Sequence, residues 1–251
     1  MRERTAGGEP AVRIALLSDI HANWTALEAV LEDLGGQGEV AEVICLGDVV
    51  GYGPDPARCL EHVRGSGWLT LVGNHDRACT DPTVLGWFNA DAAAAIHWSI
   101  EQLDADQLDW LRGLPERAER AGLQLLHGSP RDPVYEYILD AQTAEDNLRI
   151  IGDSVCFHGH THVPGVFHVE HGEITHDYQH GSLKADGPAL VNPGSVGQPR
   201  DGDPDASYGI WDSEASRFEF RRVPYDRERV KRAIIDNQLP PRLAFRLDFG
   251  R

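Results

Sequence analysis

The chain has 251 residues, of which 41% are hydrophobic, and a formal net charge of −17 at neutral pH. That length allows one large domain or two small ones, and a single α/β core with an insertion fits it best. The charge argues against a general nucleic-acid or anionic-membrane binder, since both need clustered cations to neutralise phosphates. No apolar run approaches the ~20 residues of a membrane helix.

The N-terminal MRERTAGGEP is charged and Gly-rich, without the apolar stretch of a secretory signal. Residues 1–10 therefore read as a disordered lead-in to a single domain over 11–251, and the protein as cytoplasmic. VRIALLS (12–18) reads as a buried strand, and WTALEAVLEDLG (24–35) as an amphipathic helix ended by Gly35. EVICLG (42–47) is a second buried strand, followed by turn-rich GYGPDP and a helix near 56–64; WLTLVG (68–73) is a third strand. This alternation predicts a parallel sheet with helices packed on it.

From Arg77 to Gly122 the pattern turns helical, with Asp104 capping DADQLDWLRGL, as in an insertion over the sheet edge. LQLLHG (123–128) returns to strand, AEDNLRI (144–150) to helix and SVCFHG (154–159) to strand. Period-2 runs near 163–169, 189–192, 206–211 and 217–223 predict a second, more antiparallel sheet. His168, His171, His176 and His180 fall in that hairpin region as ordinary strand and loop positions. DRERVKRAIID (226–236) closes as a helix, and the Arg-rich tail beyond Pro240 carries no clear pattern. Cys45, Cys59, Cys79 and Cys156 are far apart without a C-x-x-C, which suits reduced thiols better than a zinc ribbon or a disulfide framework.

The polar residues that end these strands form an ordered set: D-I-H (19–21), G-D-V-V-G (47–51), G-N-H-D (73–76), H-G (127–128) and H-G-H-T-H (158–162). Open α/β sheets place ligands at the carboxyl ends of their strands, so five segments would deliver Asp, His and Asn side chains to one rim. A lone D-x-H is weak, whereas five such segments in order, each after an apolar run, form a strong signal. Mixed oxygen and imidazole ligands suit manganese, iron, zinc, cobalt or nickel better than calcium.

This ordered set resembles the calcineurin-like metallophosphoesterase superfamily, with its pattern D-x-H, G-D-x-x, G-N-H-D/E, x-H, G-H-x-H. NPGSVGQPRDGDP (192–204) and HGSPRDP (127–133) are similar to its small bacterial phosphoesterase and phosphodiesterase branch. The resemblance implies an α/β fold, a four-layer α-β-β-α sandwich of two mixed β-sheets flanked by helices, with a helical insertion near 77–122. It implies two divalent metal ions per chain, manganese foremost and Fe, Zn, Ni or Co as alternatives. One ion would be held by Asp19, His21, Asp48 and His162, and the other by Asp48, Asn74, His127 and His160.

A metal-bridging hydroxide would then attack a phosphodiester or phosphomonoester, with a small nucleotide-like substrate favoured. His75 would act as general acid and Asp76 would orient its ring and favour its charged form. Arg131 and Arg200 could fork a phosphate, and Tyr52 could stack on the substrate. His158 matches no ligand position and reads as a packed histidine. Two other readings stand beside this one, a non-catalytic metal-binding scaffold of the same fold and a protein phosphatase. The retromer scaffold subunit lacks the third-motif histidine, which is His75 here. Protein phosphatases continue the second motif with an aspartate–arginine pair, where this chain has V-V-G-Y-G. Self-association as a homo-oligomer is left open.

Overall fold

The alternation along the first strand sets the layering of the molecule. The computed structural model describes residues 12–177, 182–184 and 187–251; the lead-in 1–10 and His180 lie outside the described residues. In chain order the first half comprises β1 (Arg13–Leu17), α1 (Trp24–Gly35), β2 (Glu42–Cys45), α2 (Pro56–Gly65), β3 (Leu69–Thr70) and α3 (Asn74–Thr80). A 3-10 turn at Pro82–Trp87, α4 (Ala90–Gln102), α5 (Ala105–Arg112), β4 (Arg117–Arg120) and β5 (Leu123–Leu126) follow. Then come α6 (Ala141–Ile151), β6 (Val155–Phe157), β7 (Gly165–Glu170), β8 (Glu173–Asp177), β9 (Ser182–Lys184) and β10 (Ala189–Asn192). The chain closes with β11 (Ala206–Asp212), β12 (Arg217–Val223), α7 (Arg227–Asp236) and α8 (Pro241–Arg246).

Successive strand residues face opposite sides of a sheet. Ile14, Leu16, Ile44 and Leu46 therefore join Leu123, Leu125, Phe157 and Val191 in a core between two sheets. Ala15, Leu17 and Cys45 face outward onto Leu27, Val30, Leu60 and Val63 of α1 and α2. On the far side Leu126, Cys156 and Leu190 pack on Ala144, Leu148 and Ile151 of α6. The result is four layers, helix–sheet–sheet–helix. Each fully buried Leu or Ile contributes ~1.5–3 kcal/mol to holding them together.

Both sheets have six strands, in the orders β3-β2-β1-β11-β12-β9 and β4-β5-β6-β10-β7-β8. Each is mixed. The run β1, β2, β3 is parallel in one sheet, and β5, β6, β10 in the other. The expected four-layer sandwich of two mixed sheets is what forms, while the division into a parallel first sheet and a more antiparallel second one is corrected. β11 pairs antiparallel with β1, while β5 and β6 belong to the second sheet. Period-2 patterning says that a strand is half-buried and says nothing of its partner.

The 77–122 segment is corrected at both ends. Its first helix, α3, begins at Asn74 within the third motif, and its last element, β4, is an edge strand of the second sheet. The third strand is shorter than its apolar run. Beyond Thr70 the amides of Leu71 and Val72 turn to the carbonyls of Cys45 and Pro115. The tail beyond Pro240 forms α8, whose Leu243, Ala244 and Leu247 pack with Tyr52, Ala92 and Ala95.

Candidate metal centre

The loops after β1 and β2 are stitched to each other before any side chain is considered. Asp19 donates its amide to the Gly47 carbonyl at 3.0 Å, and His21 donates to the Asp48 carbonyl at 2.9 Å. This tight crossing puts Asp19, His21, Asp48 and Tyr52 in the left-handed region, with φ of 53°, 48°, 55° and 59°. His160 and His162 share that conformation at 67° and 61°. Such backbone costs ~1–3 kcal/mol per residue and clusters where the surrounding structure fixes a site. The bare α-carbon of Gly73 is required as well. A Cβ there would stand 2.0 Å from Asp48 Oδ1.

The side chains converge in two groups that share Asp48. Asp19, His21, Asp48 and His162 form one, and Asp48, His127 and His160 the other, with the offered atoms of each group within 4.8 Å of one another. All six are buried. Asp48 Oδ2 lies 3.6 Å from His21 Nε2 and 3.4 Å from His127 Nε2, so one carboxylate oxygen faces both groups. Asp19 Oδ1 lies 3.2 Å from His162 Nε2. Asn74 completes the second group, its Oδ1 3.3 Å from His127 Nε2.

The outer ring nitrogens settle what the inner ones present. His21, His127 and His162 each set Nδ1 against a backbone carbonyl, those of Val50, Leu46 and Gln198, at 3.1, 3.0 and 2.6 Å. His160 instead sets Nε2 against the Tyr135 carbonyl at 3.1 Å. A proton on the outer nitrogen leaves a lone pair on the inner one, as in metal-ligating histidines. The Nε2 atoms of His21 and His162 then meet at 3.1 Å as two lone pairs. Asp19 Oδ1 and Asp48 Oδ2 are buried without any hydrogen-bond donor. Converging acceptors without donors are costly, and divalent cations among them remove the conflict. The donor set fits such ions.

Electrostatics agree. Burial would raise Asp19 and Asp48, but His162 beside the first, and His127 with His75 beside the second, carry both carboxyls well below the usual range. Burial pushes His21 and His160 well below the ordinary imidazole value, which favours the neutral, ligating ring. His127 goes the other way. Burial opposes its charge, but the Asp48 carboxylate raises it to about 9, so a cation bound here takes the place of a proton.

The remaining sequence candidates divide. His75 lies beside this centre, its ring 4.8 Å from that of His21 and 4.4 Å from that of Tyr52, with Nδ1 buried and unpartnered. Burial lowers its pKa to about 4 against the pull of Asp48, so the resting ring is neutral. The role expected of Asp76 is corrected. Its Oδ2 accepts from the amides of Asp48 at 2.7 Å and Gly73 at 3.0 Å, and its Oδ1 from that of Val50 at 3.2 Å. These bonds brace the loop that carries Asp48, and none reaches the His75 ring.

Arg200 is at the site, with Nη2 3.4 Å from the Tyr52 hydroxyl, 3.2 Å from Gln198 Oε1, and Nε buried without a partner. Arg131 is elsewhere, and its expected phosphate contact is corrected. Its guanidinium is held at the surface by Glu136 and, at 3.2 Å, by Asp146. His158 is buried, its Nδ1 3.5 Å from Asn192 Nδ2.

Other residues matter that sequence reasoning did not assign. Asn192 donates to the Gly159 carbonyl at 2.7 Å, contacts Thr161 Oγ1 at 3.0 Å and accepts from Gly194 at 2.8 Å, fixing the loop of His160 and His162. Ser195 Oγ donates to the Asp19 carbonyl at 2.8 Å. The N-P-G-S stretch was visible as a motif, but its bracing role needs the fold. Tyr137 stacks on His160 with ring centroids 3.7 Å apart, and Arg246 of α8 stands 5.8 Å over the Tyr52 ring. Neither carried a local signal.

Two mixed sheets flanked by helices, with aspartates and histidines gathered at the carboxyl ends of their parallel strands, define a metal-binding α/β protein of the phosphoesterase type. The chain belongs to the calcineurin-like phosphoesterase superfamily, whose domain model matches residues 12–216. It is 38% identical over 243 residues to the uncharacterized protein MJ0912 of Methanocaldococcus jannaschii, covering 95% of this chain and 98% of that one. The crystal structure of a metallophosphoesterase from Sphaerobacter thermophilus is 39% identical, with a TM-score of 0.85 over 96% of this chain and all of that one, 100%. The fold is shared by hypothetical protein PH1004 from Pyrococcus horikoshii OT3, at 23% identity and TM-score 0.79 over 96% and 99% of the two chains.

Proposed function

We propose that this protein hydrolyses phosphoesters with two divalent metal ions, manganese foremost, and that its substrate is a small diester or monoester of nucleotide type. The observation that carries this reading is the sharing of Asp48 Oδ2 between two donor groups, with no hydrogen-bond donor for that oxygen. When bound, such ions polarise a phosphoryl oxygen and lower the pKa of water to about 7, which makes an attacking group available at neutral pH. Two aspartates against two divalent ions leave the centre cationic, so an anionic substrate is drawn in despite the acidic surface.

The residues divide the remaining work. Asp19, His21, Asp48 and His162 would hold one ion, and Asp48, Asn74, His127 and His160 the other, each imidazole fixed in tautomer by its backbone carbonyl. His75 stands next to the His21 side of the centre and is suited to hydrogen-bond the departing oxygen. Its neutral resting ring takes up or donates a proton only once substrate charge is beside it. Arg200, with an unpartnered buried Nε, is placed to meet a phosphate oxygen, and Tyr52 packs between Arg200 and His75.

We take residues 11–251 as one functional domain, since α8 packs back on Tyr52. Its four cysteines are free and buried, which supports a reducing, cytoplasmic setting. No described helix is long and apolar enough to cross a membrane.

The test is turnover of a model diester, a model monoester, cyclic nucleotides and dinucleoside polyphosphates by manganese-loaded protein. His75→Ala should lower the rate on the best substrate ~10²–10⁴-fold while metal content stays at the wild-type level. No turnover of any of these phosphoesters by the fully loaded protein would overturn the reading.

A further inference from the structure

The connection from β5 to α6 begins at a candidate ligand, His127, and doubles back at once. The amides of His127 and Gly128 both donate to the Pro133 carbonyl, at 3.2 and 2.7 Å. Ser129 donates its amide to the Asp132 carbonyl at 2.8 Å, and Asp132 Oδ1 accepts from the amides of Val134 and Tyr135 at 3.2 and 3.1 Å. This turn brings residues 135–137 back to the metal centre, where they meet His160 at two points. The Tyr135 carbonyl stands 3.1 Å from His160 Nε2, and the Tyr137 ring lies on the imidazole with centroids 3.7 Å apart and planes 17° apart. His160 is 3% exposed and Tyr137 is 44% exposed, so the tyrosine stands between a face of the imidazole and water.

Glu136, between the two tyrosines, braces them from behind. Its Oε2 accepts from Ser129 Oγ and, at 3.0 Å, from Asn147 Nδ2 of α6. Its Oε1 accepts from Arg131 Nε at 2.9 Å and from Arg131 Nη2. The serine and arginine of the H-G-S-P-R-D-P stretch thus serve the posture of this connection. Trp87 meets Tyr135 edge-on with centroids 5.2 Å apart.

We propose that residues 127–140 form a clamp that sets the affinity of one metal position, that of Asp48, Asn74, His127 and His160, with Tyr137 as the positioning residue for His160. The inference rests on the two-ion reading above and adds what makes the two positions unequal. The connection starts on one imidazole of this position and closes on the other. The imidazoles of the other position, His21 and His162, rest instead on the Val50 and Gln198 carbonyls. A proton kept on His160 Nε2 by the Tyr135 carbonyl leaves the Nδ1 lone pair for a cation, and an apolar ring over a ligand limits both its rotation and the access of water. The stack needs the aromatic ring of Tyr137 and not its hydroxyl.

Calorimetric titration of the metal-stripped full chain with manganese tests this without turnover, with electron paramagnetic resonance separating isolated from coupled ions. The wild type should take up two ions. Tyr137→Ala should weaken one of them ~10–100-fold and the other by no more than ~3-fold. Its isolated-ion signal should then persist at manganese levels that give coupled ions in the wild type. Tyr137→Phe keeps the ring and should restore both affinities, while Glu136→Ala should weaken the same ion as Tyr137→Ala. The melting temperature of each stripped variant shows that the fold is intact. Unchanged affinities in Tyr137→Ala, both ions weakened alike, or Tyr137→Phe failing as alanine does would overturn the clamp. If the wild type still binds two ions, the metal-centre reading survives that failure; if it binds no pair of ions, both fall.

Discussion

Asp48 is the residue on which the site turns, and its position depends on a residue without a side chain. A methyl group at Gly73 would stand 2.0 Å from Asp48 Oδ1 and 2.4 Å from the Asp48 amide nitrogen. Gly73→Ala must therefore displace the carboxylate shared by the two donor groups or the start of α3, and manganese affinity should fall ~10–100-fold, as for other losses of ligand support. Titration calorimetry checks this, and an unchanged affinity would show that Asp48 does not depend on that contact. Asn192→Ala is a second case. It removes three contacts that fix the His160 and His162 loop and leaves the buried Gly194 amide without its acceptor, at a cost of ~1–3 kcal/mol. Denaturant unfolding should register that loss together with weaker metal binding. The residues that converge on the site were legible because their segments follow apolar runs and carry side chains suited to a cation. Asn192 was not, because two of its three partners, the Gly159 carbonyl and the Thr161 hydroxyl, are loop atoms over thirty residues away, and only folding brings them within reach.

At the scale of elements, the tie between α1 and the β11–β12 ribbon offers a stability test away from the metal centre. Asp33 accepts from Arg221 Nε at 2.7 Å and Nη2 at 2.9 Å, and from the Tyr208 hydroxyl at 2.6 Å. The Arg221 hydrogen bonds hold the Asp33 carboxyl below its usual range, with burial opposing. A depressed carboxyl contributes stability that is full above its unfolded pKa, about 3.9, and is lost as pH falls through its folded value. Asp33→Ala should cost ~1–2 kcal/mol in urea unfolding at pH 7, after allowance for partial exposure. The gap between wild type and variant should narrow below pH ~4, and an equal gap at pH 7 and pH 3 would show that the charge is not its source. Elements with a local signal were legible, including the Asp104 cap, whose side chain accepts from the Gln107 amide while Gln107 reaches back to the Asp104 amide. Sheet membership was not, since β11 and β10 carry similar patterns yet join different sheets. The short α8 was hidden because its apolar residues are spaced within so few positions that no period emerges.

At the scale of the whole molecule, buried acceptors set against one another make the metal-free chain less stable than its packing alone would allow. Cations that bind only the folded chain stabilise it by ~2.7 kcal/mol at a hundred times Kd. For a domain of this size that corresponds to a rise in Tm of ~5–11 °C, which differential scanning calorimetry with and without manganese would record. The most direct measurement is reconstitution of metal-stripped protein with manganese, following bound metal per chain and turnover of a model diester together. The account predicts negligible turnover in the stripped protein and a maximum near two ions per chain, with Asp48→Asn failing to reach either. Full turnover by the stripped protein would contradict it.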